Sequence, residues 1–183
     1  MAMSEERQQH DKQAETGSNW GRFEGRVVAK WLDDGRDMRL VEPFAYVDAA
    51  DAHWLAPADA VVNGASIPRA FWSVIGGPFA GRFRNASVVH DVACVVRTQG
   101  WREVHRMFYE ACRCAHAPLL KSKIMYYAVY HFGPRWQPAG LGFRDETPPQ
   151  PTAEQAAAVA AYFETHEVAA GSIPQLKVTF IPQ

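Results

Sequence analysis

Apolar residues recur at helical spacing through three consecutive segments of the chain, and no comparable period precedes them. Val88, Val89, Val92, Val95 and Val96 mark a helix over Arg84–Arg97. Val104, Phe108, Ala111 and Ala115 mark a second over Trp101–Cys114, and Leu120, Ile124, Tyr127 and His131 a third over Leu119–Phe132. A stripe of this period buries one helix face and needs other elements to cover it. Thr98-Gln99-Gly100 breaks the first pair, and Gly133-Pro134 ends the third helix.

Before Asn63 the pattern is that of strands. Phe23–Leu32 is rich in β-branched and aromatic residues, Asp33-Asp34-Gly35 is hairpin-turn chemistry, and Met38–Val47 reads as the returning strand. Pro43 removes one ladder donor, so that strand is an edge or bends there. Trp54-Leu55 and Val61-Val62 are further short strands. Asn63–Pro68 is a turn in which Ser66 caps a short helix, Arg69–Ile75, stopped by Gly76-Gly77-Pro78. The expected fold is α+β: a small N-terminal antiparallel sheet packed on a three- to four-helix C-terminal half.

Residues 1–19 are polar and read as a disordered tail. Residues 20–136 form the single core domain. Residues 137–183 hold a Pro-rich linker, a helix over Ala153–His166 capped by Thr152, and a final strand at Leu176–Ile181, all packing on the core. Hydrophobic residues at 48% are enough to build that core.

Charge narrows the partners. Nineteen basic and 20 acidic side chains give a net charge of −1 with no basic stripe, so nucleic acid is not an expected ligand. No apolar run reaches the roughly 18 residues of a membrane span. No signal peptide is visible, so cytoplasmic synthesis is expected, with export by a phage-like or secretion-system route. Three cysteines, Cys94, Cys112 and Cys114, do not close a disulfide framework and read as reduced thiols.

The chemistry concentrates on the helix pair. His90 and Asp91 are adjacent on the first helix, and Cys94, four residues on, shares the side of His90. A turn centred near Gln99 folds the helices antiparallel and sets His90 and His105 roughly 4.5 Å out of register along the axis. His90, Asp91 and His105 are therefore expected to converge, with Asn63, Ser66 and Glu103 as substrate-contacting neighbours. Three readings follow. Two imidazoles and a carboxylate form an open ligand set for a divalent metal. One His could instead activate water without metal while a carboxylate orients it. In the third, the pair satisfies buried groups where sheet meets helices.

Elsewhere the signals are ordinary. His131 sits at a helix end, where a cation suits the dipole. His116 beside Cys112 and Cys114 lacks a second ligand pair. Ser66 lacks the G-x-S-x-G pattern, so capping is its reading.

Three blocks in order, Asn63–Pro68, Ala86–Asp91 and Val104–Phe108, followed by Met125–Val129 and Phe132-Gly133, carry a resemblance. Residues 22–136 resemble the phage-associated domain-of-unknown-function 1353 family. The resemblance implies a mobile-element or toxin-delivery background and supplies no settled activity. The family's pattern has Asp where this chain has Asn63 and His105. His in place of Asp exchanges a hard oxygen ligand for imidazole, favouring zinc over calcium. A looser similarity is to phospholipases of the A-two class, whose His-Asp pair faces an acid on an antiparallel helix. This chain lacks their paired cysteines.

The resulting expectation is a His/Asp-centred hydrolase, metal-assisted through His90, Asp91 and His105, acting on peptidoglycan or a lipid ester of the cell envelope. The alternative is a non-enzymatic, phage-derived structural or adaptor protein that docks a phage or secretion-system partner.

Overall fold

In the computed structural model, the described residues are 19–64, 66–77, 79, 81–136 and 148–178. The expected tail, most of the linker and the end of the expected last strand lie outside them. Six strands come first: β1 (Arg22–Glu24), β2 (Ala29–Trp31), β3 (Met38–Leu40), β4 (Phe44–Val47), β5 (His53–Ala56) and β6 (Val61–Val62). Helices α1 (Trp72–Ile75), α2 (Arg84–Val96), α3 (Trp101–Cys114), α4 (Leu119–Phe132) and α5 (Ala153–Thr165) follow. The fold is α+β.

The expected single sheet is two. Strands β1-β4-β5 form one antiparallel sheet and β2-β3-β6 the other. Each long strand read from the sequence is broken in the middle. The hairpin keeps one register through the break, with Arg22 opposite Val47 and Trp31 opposite Met38. Gly25 and Pro43 lie close together, one position out of direct opposition, at the interruption. Gly25 takes φ +82°, and a Cβ there would lie 3.1 Å from the Pro43 carbonyl oxygen. A positive φ that only glycine adopts cheaply, facing a residue without an N–H, ends one ladder and starts the next. The hairpin tip is held by Asp34, whose Oδ1 accepts from the backbone N–H of Arg36 (3.0 Å) and Asp37 (2.9 Å).

Helix α2 is the centre of the molecule. It packs on β4, β5 and β6 and against α3, which packs in turn on α4. Every residue from Ala86 to Val92 is buried, so both faces of α2 are covered. Its apolar pattern therefore reads as a broad band, and among its apolar residues only Val95 and Val96 at its last turn are exposed. Arg97 ends it in the left-handed conformation (φ 58°), its N–H bonding the Ala93 carbonyl. The next helix starts at once: the Glu103 carboxylate accepts the Gly100 N–H at 3.0 Å. These two caps make the α2–α3 turn tight enough to lay the helices antiparallel.

Helix α5 has the expected cap, with Thr152 and Gln155 exchanging side-chain-to-backbone bonds of 3.2 and 2.9 Å. The expected strand at Leu176 is corrected in part. A 3₁₀ turn spans Ala170–Gln175, and Leu176–Val178 takes no strand. Val178 instead donates its N–H to the Tyr127 hydroxyl. His131 also departs from expectation. It is half-buried, its imidazole is pushed below its ordinary pKa by burial, and its Nε2 donates to the Ile173 carbonyl at 2.9 Å. The ring ties α4 to the C-terminal segment as a neutral donor. Among the described residues, no helix is long and apolar enough to cross a membrane.

Candidate metal centre and cleft

The antiparallel α2–α3 pair brings His90 and His105 together, with Nε2 of His90 lying 2.9 Å from Nδ1 of His105. Both rings are fully buried. His105 Nε2 donates to the Pro134 carbonyl at 3.1 Å. Burial pushes His105 down to about 3 and His90 well below its ordinary value, so both imidazoles are neutral at pH 7. The Pro134 carbonyl thus fixes the tautomer of His105. Its Nδ1 is the bare nitrogen, and His90 must donate its Nε2–H to it. That leaves His90 Nδ1 as a bare acceptor, buried and without a hydrogen-bond partner. An orphaned acceptor of this kind costs about 1–3 kcal/mol.

Aromatic rings enclose the pair. Phe108 lies 4.4 Å from the His90 ring, centroid to centroid, and Trp101 (5.6 Å) and Trp136 (6.2 Å) flank His105. The low polarity of this wall is the physical cause of both depressed pKa values.

The third member is Cys94. Its Sγ lies 3.7 Å from His90 Nε2, and ligand atoms of His90, Cys94 and His105 all fall within 4.8 Å of one another. Two imidazole nitrogens and a sulfur are a borderline-soft donor set suited to zinc or another late transition metal. Tetrahedral zinc holds nitrogens roughly 3.3 Å apart and nitrogen from sulfur roughly 3.6 Å. The nitrogens would open by a few tenths of an ångström, and the sulfur already stands at about the right distance from His90 Nε2. His105 also has the carbonyl partner that orients a metal-bound imidazole, whereas His90 lacks one. Burial pushes the Cys94 thiol up to about 12, so it carries its proton until a cation displaces it.

Asp91 is turned elsewhere. Its Oδ2 accepts the N–H groups of Asn63 (2.9 Å) and Gly64, and its Oδ1 accepts the Ser66 hydroxyl at 2.7 Å. Burial pushes the carboxyl up, and the donors of Ser66, Gly64 and Asn63 pull it back only in part. Asp91 thus clamps the 63–66 turn onto α2. Glu103 is exposed and occupied with its cap, away from the pair.

A cleft of about 390 Å³ opens over this arrangement. Asp91 and Cys94 form part of its floor, and Asn63, Ser66, Pro134 and Gln150 line its sides. Cys94 and Pro134 therefore both touch the His pair and line the cleft, and Cys94 is the one of the two with a ligand atom. Of the expected site residues, the structure joins His90 to His105 and Asp91 to Asn63 and Ser66. Sequence reasoning left Cys94 out of the ligand set, although its position four residues after His90 was a legible signal. Pro134 and Gln150 carried no such signal, because irregular chain brings them over the helices.

The family described as "Protein of unknown function (DUF1353)" matches residues 38–129, half of the chain. The chain belongs to this family. The match runs from β3 through most of α4, so it contains the 63–66 turn, Asp91, Cys94 and both imidazoles. The chain is similar to "Uncharacterized protein y4jT" of Sinorhizobium fredii (strain NBRC 101917 / NGR234), 37% identical over 126 residues, 68% of this chain and 38% of that protein. "Uncharacterized protein y4iH" of the same organism is 35% identical over 103 residues, 56% of this chain and 43% of that protein. The chain thus spans about two fifths of the length of the curated relatives it matches. No solved structure matches it.

Proposed function

We propose that this chain is a metal-assisted hydrolase whose ion is held by His90 Nε2, Cys94 Sγ and His105 Nδ1. The carrying observation is the gathering of these three ligand atoms within 4.8 Å, with Cys94 also forming the cleft floor. Three protein ligands leave a tetrahedral ion one position for water or substrate, as catalytic zinc sites do. The Cys94 thiolate and the neighbouring Asp91 carboxylate would together balance a divalent charge in a buried place. Asp91 would act on the 63–66 turn, holding Asn63 and Ser66 at the cleft wall rather than ligating. A cell-envelope substrate, peptidoglycan or lipid ester, and a phage-like or interbacterial-toxin setting belong to this proposal and draw their support from the resemblance in the sequence. Elemental analysis of the full chain purified from zinc-supplemented medium should find about one ion per chain. An ion-free protein that also fails to take up zinc or cobalt in solution would remove the reading.

One observation favours a second reading. Both imidazoles are sealed from solvent and Asp91 is engaged by its own turn, as in a hydrogen-bonded core of a non-enzymatic adaptor. In that case His90→Ala unfolds the protein, and neither zinc nor cobalt changes its melting temperature.

A further inference from the structure

A second cleft, of about 630 Å³, lies beside the first, and Asn63 lines both. Its walls come from the β2–β3 hairpin and the segment around α1. Two indole rings face it. Trp31 is 63% exposed, the largest exposed aromatic surface among the described residues. Trp72 is held in place by its Nε1–H bond to the Ile67 carbonyl (3.1 Å), and the Arg69 guanidinium lies 5.6 Å above its ring. Arg36, Asp37 and Asn63 line the cleft with the rings. Among the described residues, neither Arg36 nor Arg69 makes an ion pair with a carboxylate.

The composition of this wall selects a ligand. Two arginines are matched by two aspartates, Asp34 and Asp37, so the cleft has no excess positive charge with which to hold a polyanion. The planar polar groups would strand an acyl chain against unmet hydrogen bonds. A neutral sugar chain satisfies both features. Its pyranose rings present C–H faces that suit the electron-rich face of an indole. Its hydroxyl pairs match the two-pronged guanidinium, carboxylate and amide groups. The volume lies in the range of about 300–1,000 Å³ that holds a small ligand, here a short oligosaccharide.

We infer that the cleft framed by Trp31 and Trp72 is a glycan-binding subsite that delivers a neutral polysaccharide past Asn63 to the cleft floored by Cys94. The inference rests on the hydrolase reading for its direction of delivery, and the binding itself does not.

Chitotetraose is the probe, titrated into the full chain by calorimetry and followed at the Trp31 indole N–H by NMR. Saturable binding is expected, weakened at least tenfold in Trp31→Ala and in Arg36→Ala. Both side chains are exposed, so both variants should keep the wild-type melting temperature. Binding without any hydrolysis keeps this inference and removes the hydrolase reading. Hydrolysis of an ester substrate together with no binding of chitotetraose does the reverse. No saturable binding of chitotetraose, or Trp31-dependent binding of single-stranded oligonucleotide or lipid vesicles in its place, overturns the glycan assignment.

Discussion

His90 and His105 are joined by one proton: Nε2–H of the first donates to Nδ1 of the second across 2.9 Å, and the Pro134 carbonyl behind His105 fixes the direction. A metal ion at this point would replace that shared proton. Both rings are already neutral, so an ion would not have to displace a charged imidazole.

Cobalt(II) should report on Cys94 directly. A thiolate–cobalt bond gives an intense near-ultraviolet charge-transfer band, so the wild-type chain is expected to show it and Cys94→Ser to lose it. Zinc affinity in Cys94→Ser should fall at least tenfold.

Zinc binding should also raise stability. With free zinc at a hundred times its dissociation constant, the folded state gains about 2.7 kcal/mol. His105→Gln keeps a side-chain N–H for the Pro134 carbonyl but is a poor zinc ligand. Its melting temperature is expected to stay flat on zinc addition, and a zinc-dependent rise equal to wild type would exclude His105 as a ligand.

The Asp91 clamp makes a separate prediction. In Asp91→Asn, an amide NH₂ would meet one of the donors now served by the carboxylate: Asn63 N–H, Gly64 N–H or the Ser66 hydroxyl. A loss of about 2–3 kcal/mol follows from leaving buried donors unmet. Ser66→Ala should cost only about 1 kcal/mol, since it removes one bond and leaves the backbone donors in place. Urea unfolding measures both. Hydrogen exchange should show the Asn63 and Gly64 amides losing protection in Asp91→Asn.

His131 predicts a pH dependence with a definite sign. Its folded pKa lies below its unfolded value, so the unfolded chain binds more protons in the window between them. Its contribution is complete above about pH 6.5 and is lost as pH falls through the folded value. His131→Gln keeps a donor for the Ile173 carbonyl and cannot titrate. The stability difference between wild type and variant, read from urea midpoints at pH 7.5 and 5.5, should shift in favour of the variant at the lower pH. An unchanged difference would show that His131 does not titrate differently on unfolding.

The sequence by itself determined the α+β class, the three long helices to within a residue or two and the Thr152 cap, and it allowed the meeting of His90 with His105 that the structure shows. These are local or nearest-neighbour properties. Helical period, cap chemistry and a short turn at Thr98–Gly100 are enough to lay α2 against α3 in a known register.

Tertiary structure alone decided where the side chains then pointed. Gly25 and Pro43 split one expected sheet into two because their close approach across the hairpin exists only once the strands pair. Asp91 left the imidazoles because the 63–66 turn, more than twenty residues away in sequence, offered its carboxylate backbone N–H groups and a hydroxyl. Pro134 set the His105 tautomer from 29 residues away. Long-range partners of this kind leave no periodic trace in a sequence, since any buried donor or acceptor could have met the same need.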